Sequence, residues 1–196
     1  YGQQIQDVRV KMERNEFQKR VGGKIERYEI VSPYNKHLLQ DVPKLRRPLK
    51  VVVDAGSGVG GPVAPPLFRQ LGCAVLEIAC TPDSRFPIHH PDPTVPENLE
   101  LLIEKVKHEK ADLGIAYDGD ADRIGAVDEK GNILWGDELL VLFSRDVLKR
   151  NPGAIIISEV KCSKRLFDDI AKHGGVPIMW KAGHSLLKAK LKETHA

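Results

Sequence analysis

The segment from Ala111 to Val127 reads ADLGIAYDGDADRIGAV and places a short acidic loop between two apolar runs. The runs on either side of the loop have the composition of buried strands. Between them, Asp118, Asp120 and Asp122 stand at alternate positions. Because an extended loop turns alternate side chains to the same side, the sequence predicts that the three carboxylates converge.

This acidic loop, residues 118–123, has the composition of a metal site. Three anionic groups held close together repel one another unless a cation joins them. Ligand sets made only of carboxylate oxygens favour a hard divalent cation, Mg²⁺ before Zn²⁺. Gly119 and Ala121 leave room for the chain to wrap around an ion, and Arg123 carries a planar guanidinium suited to a neighbouring phosphate. We therefore interpret the three aspartates as magnesium ligands.

Two other interpretations of the acidic loop stay open. Asp118, Asp120, Asp122 and Glu129 fall at positions one, three, five and twelve of an EF-hand loop. Against this, Arg123 occupies the sixth position, where an EF-hand needs Gly, and the flanking segments have the pattern of strands. The other alternative is an acidic surface turn, because Asp and Gly are ordinary turn residues.

The composition is that of a globular protein with a real core. Hydrophobic residues make up 41% and charged residues 29% of the sequence, as is usual for globular proteins. The length of 196 residues suffices for one large domain or two small ones. The net charge of +3 is spread along the chain, so we expect no nucleic-acid partner. The printed sequence has no apolar run of bilayer length and no recognisable signal peptide, so we expect no membrane partner. Cys73, Cys80 and Cys162 form no C-x-x-C pair, which favours free thiols and a cytoplasmic location.

Residues 49–78 have the pattern strand, glycine turn, helix, strand. The turn matches the dinucleotide fingerprint G-x-G-x-x-G, and Glu77 follows at about the distance of a ribose contact. Its glycines are Gly56, Gly58 and Gly61. Asp54 and the prolines at the helix start count against a pyrophosphate site. The alternative is a tight turn whose glycines only allow close packing of helix on sheet.

The other segments continue an alternation of helices and strands. Residues 81–96 are rich in proline and predict an irregular segment. His89, His90 and Asp92 could form a metal site, but adjacent histidines in an extended segment point apart, so we expect an ordered loop held by side-chain hydrogen bonds. We predict helices over residues 32–42, 97–109 and 137–150 and from Ser163 to His173, with Ser32, Asp137 and Ser163 as N-caps. We predict further strands over residues 133–135, 154–158 and 176–180. The fold class is therefore α/β with mixed, mostly parallel sheets.

Lys161 and His184 each come just after a predicted strand. If those two strands are parallel neighbours, both residues lie at the same edge of their sheet. Lys161 can hold an anion, and His184 near a helix N-terminus can donate to a phosphate or a sugar hydroxyl. A solvated lysine and a histidine at a helix end are the alternatives.

Through several of these motifs together, the chain resembles the α-D-phosphohexomutases, specifically their bacterial phosphomannomutase/phosphoglucomutase branch. The segments that carry the resemblance stand in the family's order. They are residues 51–60, 86–93, 118–123, 160–163 and 180–185. The acidic loop and the last two segments together are the specific part, whereas the glycine turn alone is not.

The resemblance implies two three-layer α/β units, which are the second and third domains of the phosphoglucomutase fold. Residues 1–29 would be the tail of domain one or a linker, residues 30–131 domain two, and residues 132–196 the first part of domain three. It implies Mg²⁺ bound by Asp118, Asp120 and Asp122, and Arg123 and Lys161 as catalytic residues. It also implies that Arg123, Lys161, Gly183 and His184 bind the substrate.

The reaction that the resemblance implies interconverts hexose 6-phosphate and hexose 1-phosphate through a phosphoserine enzyme and a hexose bisphosphate. The family's phosphoserine loop, its sugar-reading loop and its fourth domain have no counterpart in these residues. We therefore expect a fragment that is inactive alone, has the remaining domains of the enzyme as partners, and does not reveal a preference for mannose or glucose. Smaller departures are Ile88, Ala121, Glu159 and Ala182, where Asn, Gly, Asp and Thr are frequent.

Two functions of other classes also fit parts of the sequence. A Mg²⁺-dependent phosphatase of the Asp-x-Asp type would use Asp118 as a nucleophile that becomes phosphorylated. A non-catalytic dinucleotide-binding module would use the glycine turn.

Overall fold

The computed structural model describes residues 2–18 and 22–196. The chain divides into two compact units, one of Glu29–Asp146 and one of Val147–Ala196 together with Tyr1–Tyr28. The predicted leading segment, residues 1–29, includes positions 1 and 19–21, which lie outside the described residues. None of the helices in the described ranges is long and apolar enough to cross a membrane.

Two helices precede the first strand. Helix α1 spans Gln3–Glu13 and buries none of its residues. Helix α2 spans Val31–Asp41. The prediction of Ser32 as the N-cap of α2 is wrong, because the helix begins one residue earlier. The backbone N–H of Ser32 instead donates to Oε1 of Glu29, at 3.1 Å, so Glu29 satisfies a donor in the first turn of the helix.

The larger unit is built on one five-stranded sheet in the order β2-β1-β3-β4-β5. The strands are β1 Lys50–Asp54, β2 Ala74–Ile78, β3 Leu113–Tyr117, β4 Ile124–Asp128 and β5 Ile133–Leu134. Strand β1 pairs in parallel with β2 and β3, whereas β3 with β4 and β4 with β5 are antiparallel. The acidic loop joins β3 to β4 directly, and a loop this short allows only an antiparallel pair. The prediction of a mixed α/β fold is confirmed.

Helices cover both faces of this sheet, because its central strands bury apolar side chains on both faces. Helix α3, Ala64–Gln70, lies on the face that contains Val51, Val53 and Ile115. Helix α4, Glu100–Glu109, lies on the opposite face with Val52 and Val127. The predicted helix over residues 97–109 is α-helical only from residue 100, since Pro96–Leu99 form a 3-10 turn.

The smaller unit holds a parallel pair of strands, β6 Ile155–Glu159 and β7 Val176–Trp180. Helix α6, Lys164–Lys172, connects them and buries Leu166 and Ile170, and Ser163 occupies its N-cap position as predicted. Helix α7, His184–Thr194, follows β7. Helix α5, Gly136–Arg150, contains the boundary between the two units. It begins at Gly136, so Asp137 lies in its first turn and is not the predicted cap.

Candidate metal centre and phosphosugar contacts

The acidic loop leaves the carboxyl end of β3 beside the glycine turn that follows β1. The backbone N–H of Val59 donates to the carbonyl oxygen of Gly119 at 3.1 Å. A Cβ atom at Gly58 would lie only 2.6 Å from that same oxygen. Gly58 is therefore required because the two loops touch backbone to backbone, and this contact fixes the path of the acidic loop.

One residue of the acidic loop has a left-handed backbone conformation, and the loop reverses direction there. Ala121 has φ +59°, and its N–H donates to the carbonyl oxygen of Asp118 at 3.1 Å. The donor oxygens of Asp118, Asp120 and Asp122 all lie within 4.8 Å of one another. The predicted convergence of the three carboxylates is thus confirmed, and the positive φ explains why Gly is frequent where this chain has Ala121.

Arg123 donates two hydrogen bonds to the most buried of these carboxylates, that of Asp118. Its backbone N–H donates to Oδ1 of Asp118 at 3.0 Å, and its Nε donates to Oδ2 at 2.7 Å. Burial acts to raise the pKa of Asp118, but the hydrogen bonds and positive charge of Arg123 hold that pKa below its usual range. Asp118 is therefore an ionised carboxylate although only 1% of the residue is exposed.

The donor set fits a hard divalent cation. Each oxygen of the buried Asp118 carboxylate accepts one hydrogen bond from Arg123 and keeps further lone-pair capacity for an ion. Asp120 and Asp122 are exposed, so a hydrated ion can reach them. Glu129 lies beyond β4, at the other end of that strand from the acidic loop. The strands on both sides and the place of Glu129 are incompatible with an EF-hand.

The proline-rich segment is ordered by the hydrogen bonds that the sequence predicts. Nε2 of His89 lies 2.9 Å from Oδ2 of Asp54, which ends β1 and is fully buried. The other Asp54 oxygen accepts from the N–H of Gly56 at 2.9 Å. Burial raises the pKa of Asp54 in spite of these partners. The pair therefore fastens the segment to the edge of the sheet where the acidic loop begins.

Sequence reasoning missed the role of Asp92, which contacts the acidic loop through Arg123. Its Oδ1 lies 3.2 Å from a terminal nitrogen of Arg123, and it also accepts from the N–H and Oγ1 of Thr94. The bonds from Thr94 and the charge of Arg123 hold the pKa of Asp92 below its usual range. Asp92 lies 31 residues before Arg123, so no local spacing could reveal this contact.

The glycine turn offers few groups to a pyrophosphate. Backbone N–H groups along the turn already donate to protein oxygens, at distances of 2.7 to 3.1 Å for Ser57, Gly58 and Val59. Helix α3 has proline at its first positions, which removes donors that would face a phosphate. These contacts favour the interpretation of the turn as a close-packing device.

In the smaller unit, Lys161 follows β6 and His184 follows β7. Because the two strands are parallel neighbours, both residues come after carboxyl ends at one edge of their sheet, as the sequence predicts. Lys161 is exposed, with its Nζ 3.3 Å from Oε1 of Glu159. Gly183 caps α7 with φ +122°, a conformation that L residues avoid, and His184 begins the helix.

Comparisons with known proteins match the two parts of the chain to consecutive domains. Residues 32–131 match the phosphoglucomutase/phosphomannomutase alpha/beta/alpha domain II, and residues 135–196 match domain III. A phosphomannomutase/phosphoglucomutase of Pseudomonas aeruginosa is 51% identical over 194 residues, covering 99% of this chain and 42% of that protein. A phosphoglucomutase of Neisseria gonorrhoeae is 47% identical over 174 residues, covering 89% of this chain and 38% of that protein.

The fold has a close counterpart among solved structures. The crystal structure of a phosphoglucomutase/phosphomannomutase family protein from Burkholderia thailandensis matches with a TM-score of 0.95 and 48% identity. The match covers all of this chain and 42% of that one. The chain therefore spans about two-fifths of the length of the relatives that it matches.

Proposed function

Because the chain belongs to the phosphoglucomutase/phosphomannomutase family, we propose that it forms the metal-binding part of an enzyme that interconverts hexose 6-phosphate and hexose 1-phosphate. The sugar is mannose, glucose or both. The observation that carries the proposal is the convergence of Asp118, Asp120 and Asp122 at the end of β3. The relatives support it, since their names are those of enzymes with this activity.

The proposal divides the chain as its resemblance implies. Residues 30–131 form the second domain of the enzyme and carry the metal loop, and residues 132–196 form the first part of the third domain. Residues 1–29 are the tail of the preceding domain or a linker. The matched ranges 32–131 and 135–196 support this division. The partners of this chain are then the remaining domains of the same enzyme.

In the proposed reaction, a hydroxyl oxygen of the hexose phosphate attacks the phosphorus of a phosphoserine. The bond from phosphorus to the serine oxygen breaks, the hydroxyl proton passes to the serine, and a hexose bisphosphate forms. After the bisphosphate has reoriented, its other phosphoryl group returns to the serine. The transferring group is metaphosphate-like and negatively charged, so the protein acts mainly by positioning it and stabilising its charge.

The acidic loop provides the groups that would act on the phosphoryl transfer. Its three aspartates would hold Mg²⁺, which would supply positive charge to stabilise the negative charge of the transferring phosphoryl group. Arg123 donates charge-assisted hydrogen bonds to the transferring group. Two of its nitrogens are already engaged by Asp118 and Asp92, which holds the guanidinium in one orientation.

The smaller unit provides contacts to the phosphosugar. Lys161 acts as a phosphosugar contact and as a candidate acid or base, and the exposed position of its side chain leaves it accessible. His184 lies at the N-terminus of α7, where it can donate to a phosphate or hydroxyl oxygen. Gly183 brings the backbone close to the sugar because it carries no side chain.

The metal site is tested by titrating the chain with Mg²⁺ and following heat or Mn²⁺ displacement. We expect Asp120→Asn and Asp122→Asn each to weaken binding about tenfold or more, because each removes a carboxylate ligand. The matched control is Glu129→Gln, which removes an exposed acid beyond β4 and should leave binding unchanged. Equal effects of all three variants would mean that only the overall charge attracts the ion.

The catalytic part is tested by offering the same chain glucose 1-phosphate, mannose 1-phosphate and the corresponding bisphosphates. We expect Mg²⁺ binding without mutase turnover, because the serine that carries the phosphoryl group is not among these residues. Turnover by the 196 residues alone would contradict the proposed division of labour. An acyl phosphate trapped on Asp118 would favour a phosphatase, and enhanced NADH fluorescence would favour a dinucleotide-binding module.

We further propose a cytoplasmic location. Cys73, Cys80 and Cys162 are all free thiols. Burial, with Glu77 as a lesser cause, raises the pKa of Cys80 to about 11, so this thiol stays protonated and unreactive at neutral pH. Free thiols are usual in a reducing compartment.

A further inference from the structure

Hydrogen bonds to neighbouring residues hold Asp92 in place independently of its contact with Arg123. Its Oδ1 accepts from the backbone N–H of Thr94 at 3.0 Å and from Oγ1 of Thr94 at 2.7 Å. The side-chain amide of Asn98 donates to its carbonyl oxygen at 2.9 Å. These bonds fix the carboxylate, so it meets Arg123 as a preorganised acceptor.

The prolines on either side of Asp92 press the segment onto the sheet and the acidic loop. A Cβ atom at Gly56 would lie 2.7 Å from Cβ of Pro91, and one at Gly125 would lie 2.8 Å from Cβ of Pro93. Pro91 also lies against Gly119 inside the acidic loop, 3.5 Å from where a Cβ would stand. These contacts fix the position of Asp92 relative to the acidic loop and to β4.

The guanidinium of Arg123 is shared between two carboxylates on different segments. Nε donates to Asp118 at 2.7 Å, and a terminal nitrogen donates to Asp92 at 3.2 Å. Because a guanidinium is planar, two bonds from different nitrogens fix its plane. About half of the side chain is exposed, and its other N–H groups have no hydrogen-bond partner among residues 2–18 and 22–196.

Without Asp92, the acidic loop itself would compete for the guanidinium. Asp122 already lies 3.6 Å from Nε of Arg123, close enough for an ion pair. The guanidinium would then be oriented only by Asp118 and Asp122. Both of these residues are proposed metal ligands. Within the described part of the chain, Asp92 is the one acidic contact of Arg123 that lies outside the acidic loop.

We propose that Asp92 is a positioning residue that holds the plane of the Arg123 guanidinium, so that its unengaged N–H groups point consistently at a phosphoryl oxygen beside the metal. The proposal rests on the proposed function, since it assigns Arg123 to the phosphoryl group of a hexose phosphate. Asp92 itself touches neither metal nor substrate. It acts through Arg123, as a support for the orientation of a group that binds phosphate.

The test uses ¹⁵N-labelled protein and the variant Asp92→Asn, whose amide oxygen can still accept from Thr94. The first readout is the Nε–H resonance of Arg123 without any ligand. We expect faster solvent exchange and a broader line in the variant, because one of the two bonds that fix the guanidinium is weakened. The second readout is the dissociation constant of inorganic phosphate in saturating Mg²⁺. We expect phosphate to bind about three- to fivefold more weakly, whereas Mg²⁺ binding changes less than about twofold.

Two controls separate positioning from charge and from folding. Asp83→Asn removes the same charge from a carboxylate that binds Arg85 in the same proline-rich segment, and it should leave both readouts unchanged. Thr94→Ala removes one of the bonds that hold the Asp92 carboxylate, so it should alter the Arg123 resonance in the same direction as Asp92→Asn but to a smaller extent.

An unchanged Nε–H resonance in a folded Asp92→Asn protein would overturn the proposal, and so would equal loss of phosphate binding in Asp83→Asn. If Thr94→Ala altered the Arg123 resonance more than Asp92→Asn does, the packing of the segment and not the Asp92 carboxylate would orient Arg123, which would also overturn the proposal. Failure of the wild-type chain to bind Mg²⁺ would instead contradict the proposed function. The ligand-free resonance would still decide whether Asp92 holds Arg123.

Discussion

Gly58→Ala is the most direct test of how the glycine turn supports the acidic loop. The new Cβ would lie 2.6 Å from the carbonyl oxygen of Gly119 and 2.9 Å from its Cα. Both are backbone atoms, so the clash is relieved only if one loop moves away by several tenths of an ångström. Overpacking of this kind costs about 1–3 kcal/mol. The loop that must move is the one that carries the three aspartates.

The neighbouring Gly60 provides a matched control. A Cβ there would lie 3.4 Å from Cβ of Ala121 and 3.5 Å from the ring of Tyr117, which are tight but tolerable contacts with side chains. Neither glycine has a positive φ, so alanine is compatible with both backbones. The reduced freedom of the unfolded chain, about 0.4–1 kcal/mol, is the same in both variants and cancels from their difference.

The assay is urea unfolding of both variants, followed by circular dichroism, together with Mg²⁺ titration of the folded proteins. We expect Gly58→Ala to be less stable than Gly60→Ala by about 1–3 kcal/mol and to bind Mg²⁺ more weakly. If the two variants had equal stability and equal Mg²⁺ affinity, the backbone contact between the loops would not hold the acidic loop in place, and the reasoning would be refuted.

Two further predictions concern hydrogen-bonded aspartates. His89→Ala should destabilise the protein by about 1–3 kcal/mol in urea unfolding, because it removes a hydrogen-bond partner from the buried Asp54; His90→Ala, at an exposed position, is the control, and equal losses would contradict this account. Arg47 holds the pKa of Asp112 below its usual range, so Asp112 adds stability above a pH of about 4 that is lost as the pH falls through the lower folded value. Asp112→Asn should therefore flatten the acid limb of stability measured between about pH 2 and pH 6, and an unaltered limb would show that this pair contributes nothing.

Local pattern was sufficient to predict the elements on which the site is built. The bounds of β7 agree with the predicted residues 176–180, because this short, mostly apolar segment stands between clear breaks. Alternate spacing was enough to predict that the aspartates of the acidic loop converge. In both cases the signal lies within a few neighbouring residues and depends on backbone periodicity alone.

What the sequence could not reveal depends on contacts between distant segments. Asp92 reaches Arg123 across 31 positions, and only the folded proline-rich segment brings them together. The start of α2 was misjudged for a local reason, because Ser32 is a good cap by type but the Glu29 side chain accepts its N–H instead. Competing acceptors of this kind cannot be ranked from residue type.

The arginine inside the acidic loop has a consequence for the order of assembly. With Arg123 bonded to Asp118 and near Asp122, mutual repulsion among the aspartates is already offset without any ion. The loop can thus take its shape while the chain folds, unlike zinc fingers, which stay unfolded until metal arrives. If the proposed metal ion binds, it would meet a loop that is already folded, so its removal by a chelator should leave the protein folded.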